Sequence, residues 1–252
     1  TGDGLGISNA APYVLYRDGG FPLVYVPLGA GDAEGSSMVV LEVTDEGDDG
    51  ILDFANNTPF ATVTGKGALD ASPALVRRSG DPLMLIGNTD GEIYLFLATT
   101  PDGNSLNELD SFTDADGLGG VNGLAAANYL TVGGNEINYV VWSTADTVHG
   151  ITIGDTGRFV DGSYWSQSID SPSEPLILQY GGNTYAYVGA GDGNVYELDA
   201  QNGGTITDTV EIEAGTTAGA PNLDTGAGPQ NPSTQGTTAV TTWGHIYWFS
   251  LE

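Results

Sequence analysis

Five copies of a strand–turn–strand pattern, no stretch of helical periodicity and no linker predict an all-β fold. The expected architecture is a single β-propeller domain over residues 1–252, of about five blades, the last of them three-stranded. The clearest copy runs from Pro175 to Asp199, as strand, Gly turn, strand, Asp-Gly turn, strand. A second runs from Pro73 to Phe96 in the same order. A third begins at Pro12, with Leu23–Val26 and Met38–Val43 as its second and third strands. A fourth, weaker copy begins near Ala127, with Tyr139–Trp142 and then Gly150–Ile153. A fifth begins at Pro221, with Thr238–Thr242 and His245–Phe249. The starts lie 61, 54, 48 and 46 residues apart, a spacing that suits four strands per unit.

Candidate fourth strands are Ile51–Val63, Leu106–Phe112, Tyr164–Ile169 and Ile206–Ile212. Mostly Gly-rich returns then lead to the next start. The apolar stretch Leu124–Ala127 is under two helical turns and does not count as a helix. A β-sandwich or jelly roll is the competing architecture, with the repeat accidental. The chain opens on a return, Asp3-Gly-Leu-Gly, and stops just after a third strand. The last blade is therefore expected to lack its fourth strand. Its edge Tyr247–Leu251 should carry unpaired backbone groups open to a strand of another chain.

Asp and Glu total 33 against 5 Lys and Arg, a formal net charge of −28. Such a surface repels nucleic acid and anionic headgroups, so neither is expected as a partner. No apolar run approaches 18 residues, so no membrane insertion is expected. Cys is 0, which excludes disulfides and thiolate chemistry. The chain starts at Thr1 without a basic, apolar leader, so any signal peptide is expected to be gone already. The scattered acids and the lone Lys66 resemble proteins of extremely halophilic archaea and their viruses. Dense salt screens self-repulsion there. The high Gly, Thr and Ser content points to an exported or virion-surface protein. An ordinary acidic secreted protein is the alternative.

The stretches Gly189-Ala-Gly-Asp-Gly-Asn-Val-Tyr196 and Gly87-Asn-Thr-Asp-Gly-Glu-Ile-Tyr94 resemble the repeat of the PQQ-like (quinoprotein-like) propellers. Two blades match well and three loosely. The resemblance implies a fold more than an activity. Enzymes of that family are eight-bladed, bind a quinone with calcium and often carry a vicinal Cys pair. This chain has about five units and no Cys, and the scaffold and binding members are compatible with it.

His149 and His245 are expected in turns between second and third strands, exposed, with a shared metal as the alternative. Asp114-Ala-Asp116-Gly117 has the spacing that puts two carboxylates on one turn, which suits calcium. A solvated Gly turn is the competing account, and no other cofactor is expected. The Asp-Gly turns at Asp90 and Asp192 read as hairpin formers. Asp3, Asp70, Asp116 and Asp170 sit in returns and would line one mouth of a glycosidase channel. Trp142, Trp165, Trp243 and Trp248 are candidates for stacking on sugar rings. Packing between blades is the alternative for Trp142 and Trp248, and Trp243 is the one expected in an exposed turn. The sequon Asn56-Asn57-Thr58 permits glycosylation of an exported chain.

Arg17, Arg77 and Arg78 fall in or beside turns between first and second strands, and Arg158 in a turn between third and fourth. A propeller puts these turns on one face, where they would dock an acidic partner. Scattered solubilising charge is the competing account. The expected function is a non-catalytic extracellular or virion-surface module, binding or structural, in high salt. Arg17, Arg77, Arg78, Arg158 and Trp243 would contact its partners, other chains of a virion or cell surface, or glycans. The alternative is an exported glycoside hydrolase or quinoprotein-like enzyme.

Overall fold

Alternating burial makes the strands. Leu23, Tyr25 and Pro27 are buried along Leu23–Pro27, while Val24 and Val26 between them are partly exposed. That period of two is the mark of a strand with one core face. Strands buried on both faces read as unbroken apolar runs instead, as in Leu83–Gly87. The computed structural model describes residues 8–17, 20–29, 35–44, 53–54, 59–113, 119–180, 182–212, 214, 216–224, 236–240 and 246–250. No helix among them is long and apolar enough to cross a membrane.

Two compact units emerge. The first comprises Thr1–Leu124 with Thr156–Phe159, and the second Ala125–Asp155 with Val160–Glu252. In the first, β1 (Tyr13–Leu15), β2 (Leu23–Pro27), β3 (Ser36–Thr44) and β5 (Ala61–Thr64) form an antiparallel meander. The short β4 (Asp53–Phe54) pairs with β3. A second meander follows: β6 (Ala74–Val76), β7 (Leu83–Gly87), β8 (Glu92–Asp102) and β9 (Ser105–Thr113). Their outer strands meet in parallel at Thr62 and Ser105. The fourth strand of the first meander is thus shorter than the expected Ile51–Val63. It starts at Ala61; Phe60 N already donates to Val40 O at 2.8 Å, and Pro59 before it has no N–H to offer a ladder.

One apolar cluster joins these two meanders. Leu23, Tyr25, Met38 and Val40 meet Met84, Ile86, Phe96 and Ala98. Tyr25 is fully buried and donates its hydroxyl to Ala98 O, so no polar atom is stranded there.

The second unit holds β11 (Leu130–Val132), β12 (Asn135–Ser143), β13 (Thr147–Ile153) and β14 (Trp165–Ser168), with β10 (Gly123–Ala126) completing their sheet. The first strand of this blade lies just before the expected start at Ala127. The extra β11–β12 hairpin turns through Gly133 and Gly134, with φ of 60° and 88°. Two successive positive φ values are the requirement of a tight hairpin turn. Next come β15 (Leu176–Tyr180), β16 (Asn183–Gly189), β17 (Asn194–Asp199) and β18 (Thr205–Glu211). The last sheet, β19 (Asn222–Asp224), β20 (Gly236–Val240) and β21 (Ile246–Ser250), has three strands among the described residues.

Main-chain stitches tie three of the described turns between second and third strands to their neighbours. Leu69 N donates to Leu28 O, Val121 N to Asn88 O and Ala218 N to Ala190 O, each at 2.9 Å. Thr89 N donates to Ala68 O at 3.0 Å and Gly191 N to Asp170 O at 2.7 Å. The returns are therefore hydrogen-bonded connections, which satisfies backbone groups that no ladder reaches.

Candidate binding cleft

Register decides which side chains of the β10–β14 sheet share a face. Tyr139 pairs with Thr152, Val141 with Gly150, and Gly150 with Trp165. These residues, with Ile137, therefore lie on one face. Val141 and Val148 pack there on Ala186, Val188, Leu198 and Ala200 of the next blade, with Tyr139 and Trp165 against the cluster. Beyond that core the two blades diverge around a cleft of about 420 Å³. Ile137, Tyr139, Thr152 and Trp165 form one wall, and Ala200, Gln201 and Gly203 the other. Val160, Gly162, Ser163 and Tyr164 complete the rim.

Trp165 sits where it does because two glycines leave room. A Cβ on Gly150 would collide with the indole, 2.6 Å from Nε1, and one on Gly204 would lie 2.7 Å from Cδ2. Gly204 also has a φ of 69°, which L side chains rarely adopt. The opposite wall is set by Asp199. Its Oδ1 accepts from Gln201 N at 2.9 Å and Asn202 N at 3.2 Å, and its Oδ2 from Asn202 Nδ2 at 2.6 Å. That side chain-to-backbone turn fixes Gln201 at the mouth. Burial, and then the charge of Asp199, raises the Tyr139 phenol above its ordinary value. Tyr139 is therefore a neutral hydroxyl across the physiological range. The rim is stapled by Ser163 Oγ, which donates to Val160 O at 2.7 Å and accepts from Thr152 N at 3.0 Å.

The other face of the same sheet holds a buried ring stack. Trp142 and His149 lie 5.1 Å apart at 12°, and both are 1% exposed. Thr144 Oγ1 donates to Thr147 O at 3.3 Å, so it accepts from His149 Nε2 at 3.1 Å. His149 Nδ1 is then the acceptor for the Tyr164 hydroxyl at 2.9 Å. This corrects the expected position of His149, which lies inside β13 and is buried. Both ring nitrogens are hydrogen-bonded, which leaves no lone pair aimed at a metal. His245 lies outside the described residues.

Asp114, Asp116, Trp243, Asp3 and the sequon Asn56-Asn57-Thr58 lie outside the described residues. Asp70 is partly buried in one unit, and Asp170 is exposed in the other. Trp142 is a core residue, Trp165 reaches the cleft, and Trp248 falls on β21. Arg17, Arg77, Arg78 and Arg158 do fall in the expected turns, all in the first unit. Arg17 pairs with Glu42, donates from Nε to Phe21 O at 2.7 Å and lies 5.4 Å from the Phe60 ring centroid. Arg158 donates to Leu109 O. Arg78 packs against Gly157, where a Cβ would collide with its guanidinium. Arg77 is exposed. Sequence reasoning missed Tyr139, Thr152 and Gln201 as cleft residues. Strand parity with Trp165 would have pointed to Tyr139 and Thr152.

No protein-family model matches the chain, and no curated protein matches its sequence. Solved structures do match. Sqt1 of Chaetomium thermophilum, crystallised bound to the N-terminus of the ribosomal protein L10, superposes with a TM-score of 0.60 at 16% identity. The match covers 93% of this chain and 56% of that one. BamB of Moraxella catarrhalis superposes with a TM-score of 0.52 at 14% identity, over 98% of this chain and 59% of that one. Both are β-propellers, and this chain has the β-propeller fold. It spans less than two thirds of the length of either structure.

Proposed function

We propose that this chain is a non-catalytic propeller that acts as a binding or structural module in high salt, outside the cell, on a cell or virion surface. The observation that carries the binding half is the cleft. In a chain of net charge −28, none of the residues lining it carries a charge at neutral pH. Rings, hydroxyls and an amide are contact groups. A glycosidase of the usual kind needs two carboxylates facing each other across the substrate, and no carboxylate lines this cleft. The Sqt1 complex with the N-terminus of L10 is a precedent for a protein partner on this fold. Other chains of the same surface are the partners this reading favours, with glycans beside them. Arg17, Arg77, Arg78 and Arg158 are the cations this reading assigns to the docking of an acidic partner.

The test has two arms. The protein should sediment with envelopes or virions in molar salt and melt at lower temperature as salt is withdrawn, because screening of self-repulsion is lost. Recovery in the soluble cell interior would defeat the surface reading. An unchanged or higher midpoint at low salt would defeat the high-salt reading.

A further inference from the structure

We infer that the cleft between Tyr139, Trp165 and Gln201 is a subsite for a neutral pyranose. The inference rests on the binding-module reading above and names the ligand. A pyranose has an apolar C–H face and a rim of hydroxyls. Tyr139 and Trp165 supply apolar ring surface, and the Tyr139 hydroxyl, Thr152 and the Gln201 amide oxygen supply neutral hydrogen-bonding groups at the edge, Gln201 Nε2 being held by Gly182 O at 3.3 Å and Thr184 Oγ1 at 3.4 Å. The volume of about 420 Å³ falls within the roughly 300–1,000 Å³ usual for small-ligand sites.

Charge narrows the choice. Acidic sugars and phosphates would meet a chain of net charge −28 with no cation in the cleft wall. A cationic ligand would find no carboxylate among the lining residues. A peptide strand is disfavoured because main-chain groups of the walls are already engaged. Val160 N donates to Thr152 O at 2.8 Å, Thr152 N to Ser163 Oγ at 3.0 Å and Gln201 N to Asp199 Oδ1 at 2.9 Å. Ring stacking and neutral hydrogen bonds are also the interactions that molar salt does not screen.

The experiment is saturation-transfer NMR with tryptophan fluorescence on the whole chain in molar KCl. The probes are methyl α-mannoside, methyl β-glucoside, methyl β-galactoside, 3′-sialyllactose and a proline-rich peptide. At least one neutral glycoside should bind with saturation strongest on its C–H face. Y139A should weaken it about tenfold or more, Q201A several-fold, and Y139F should retain most binding because the ring remains. Circular-dichroism melts of each variant confirm the fold. Binding confined to sialyllactose or the peptide overturns the inference, as does neutral-sugar binding that Y139A leaves unchanged. If no neutral glycoside binds while the chain still sediments with envelopes or virions, the sugar assignment falls and the binding-module reading stands. If neither occurs, both fall.

Discussion

Two turns of the molecule share the pattern Gly-x-x-Asp-Gly-x-Ile/Val-Tyr and hold themselves together differently. In Gly87–Tyr94, Asn88 N donates to Glu92 O at 3.0 Å. In Gly189–Tyr196, Ala190 N donates to Asn194 O at 2.9 Å. The outgoing return bonds the carbonyl of Asn88 in one and of Ala190 in the other. Side chains then diverge. Asn88 Oδ1 accepts from the amides of Asp90 at 3.0 Å and Glu92 at 2.8 Å. Ala190 has nothing to offer, and Asp192 takes over, accepting from Asn194 N at 3.0 Å and Nδ2 at 2.9 Å. Tyr94 donates to Glu92 and Tyr196 to Asp192. The main-chain pattern is the constant, and the polar side chains are interchangeable ways of supporting it.

The glycine that opens each turn sharpens the contrast most. A Cβ on Gly189 would lie 2.5 Å from Ala218 O and closer still to Gly219 O. A Cβ on Gly87 would lie 2.6 Å from Val121 Cγ1. Main chain cannot step aside, and a valine can in part. G189A should therefore destabilise by about 3 kcal/mol, the upper end of overpacking costs. That corresponds to a fall of roughly 6–12 °C in melting temperature for a chain of this size. G87A should cost about 1–2 kcal/mol. V121A in the same chain should recover part of it, because contacting pairs couple. A larger loss in G87A than in G189A, or strict additivity of G87A and V121A, would break the account.

The tyrosines rank next. Tyr94 is 7% exposed, with Lys66 Nζ 4.4 Å from its ring centroid and paired to Glu108 at 2.7 Å. Tyr196 is partly exposed and has a carboxylate partner, Asp192, at 2.5 Å. Y94F should cost about 1 kcal/mol and Y196F about 0.5 kcal/mol, the low range for a single hydrogen bond. Chemical denaturation of the two variants would show it, and equal losses would remove the distinction.

The smallest effect is in acid. The Tyr94 hydroxyl, foremost, holds the Glu92 carboxyl below its ordinary value. For Asp192, burial pushes upward, and the bonds from Tyr196 and Asn194 together outweigh it. A carboxyl depressed in the folded state stabilises above its unfolded pKa, and that stability is lost as pH falls through the folded value. Y94F should therefore move acid unfolding slightly towards higher pH, with neutral-pH stability changed only by the hydrogen bond. A shift to lower pH would reverse the sign and refute it.

The same comparison shows why some features were legible in the sequence and others were not. Gly-x-x-Asp-Gly-x-Ile/Val-Tyr announces its turn because both glycines answer to backbone constraints. Gly91 has a φ of 86°, and Gly87 faces the next return. In the β12–β13 turn the equivalent bond runs from Thr144 N to Thr147 O, one residue shorter. That places His149 where Tyr94 and Tyr196 stand, inside the strand and not in the turn. No glycine marks this turn, so the copy reads weakly. The cleft was less legible still. Trp165 stood out by residue type, yet its partners Tyr139 and Gln201 lie 62 residues apart and meet only when two blades pack. The features that admit the indole are vacancies, at Gly150 and Gly204, and a vacancy leaves little trace in a linear pattern.

The stitches at Leu28, Asn88 and Ala190 have a bearing on descent. Each is made by a carbonyl and an N–H that every residue but proline supplies. Selection on these joints therefore polices chain path and leaves side-chain identity almost free. A leucine, an asparagine and an alanine occupy the same joint in three blades of one molecule. Chains that share this architecture can therefore differ in nearly every side chain and still superpose, as they do at 14–16% identity. Under such a regime the slowest positions to change would be the glycines pressed against a neighbouring return, Gly189 before Gly87.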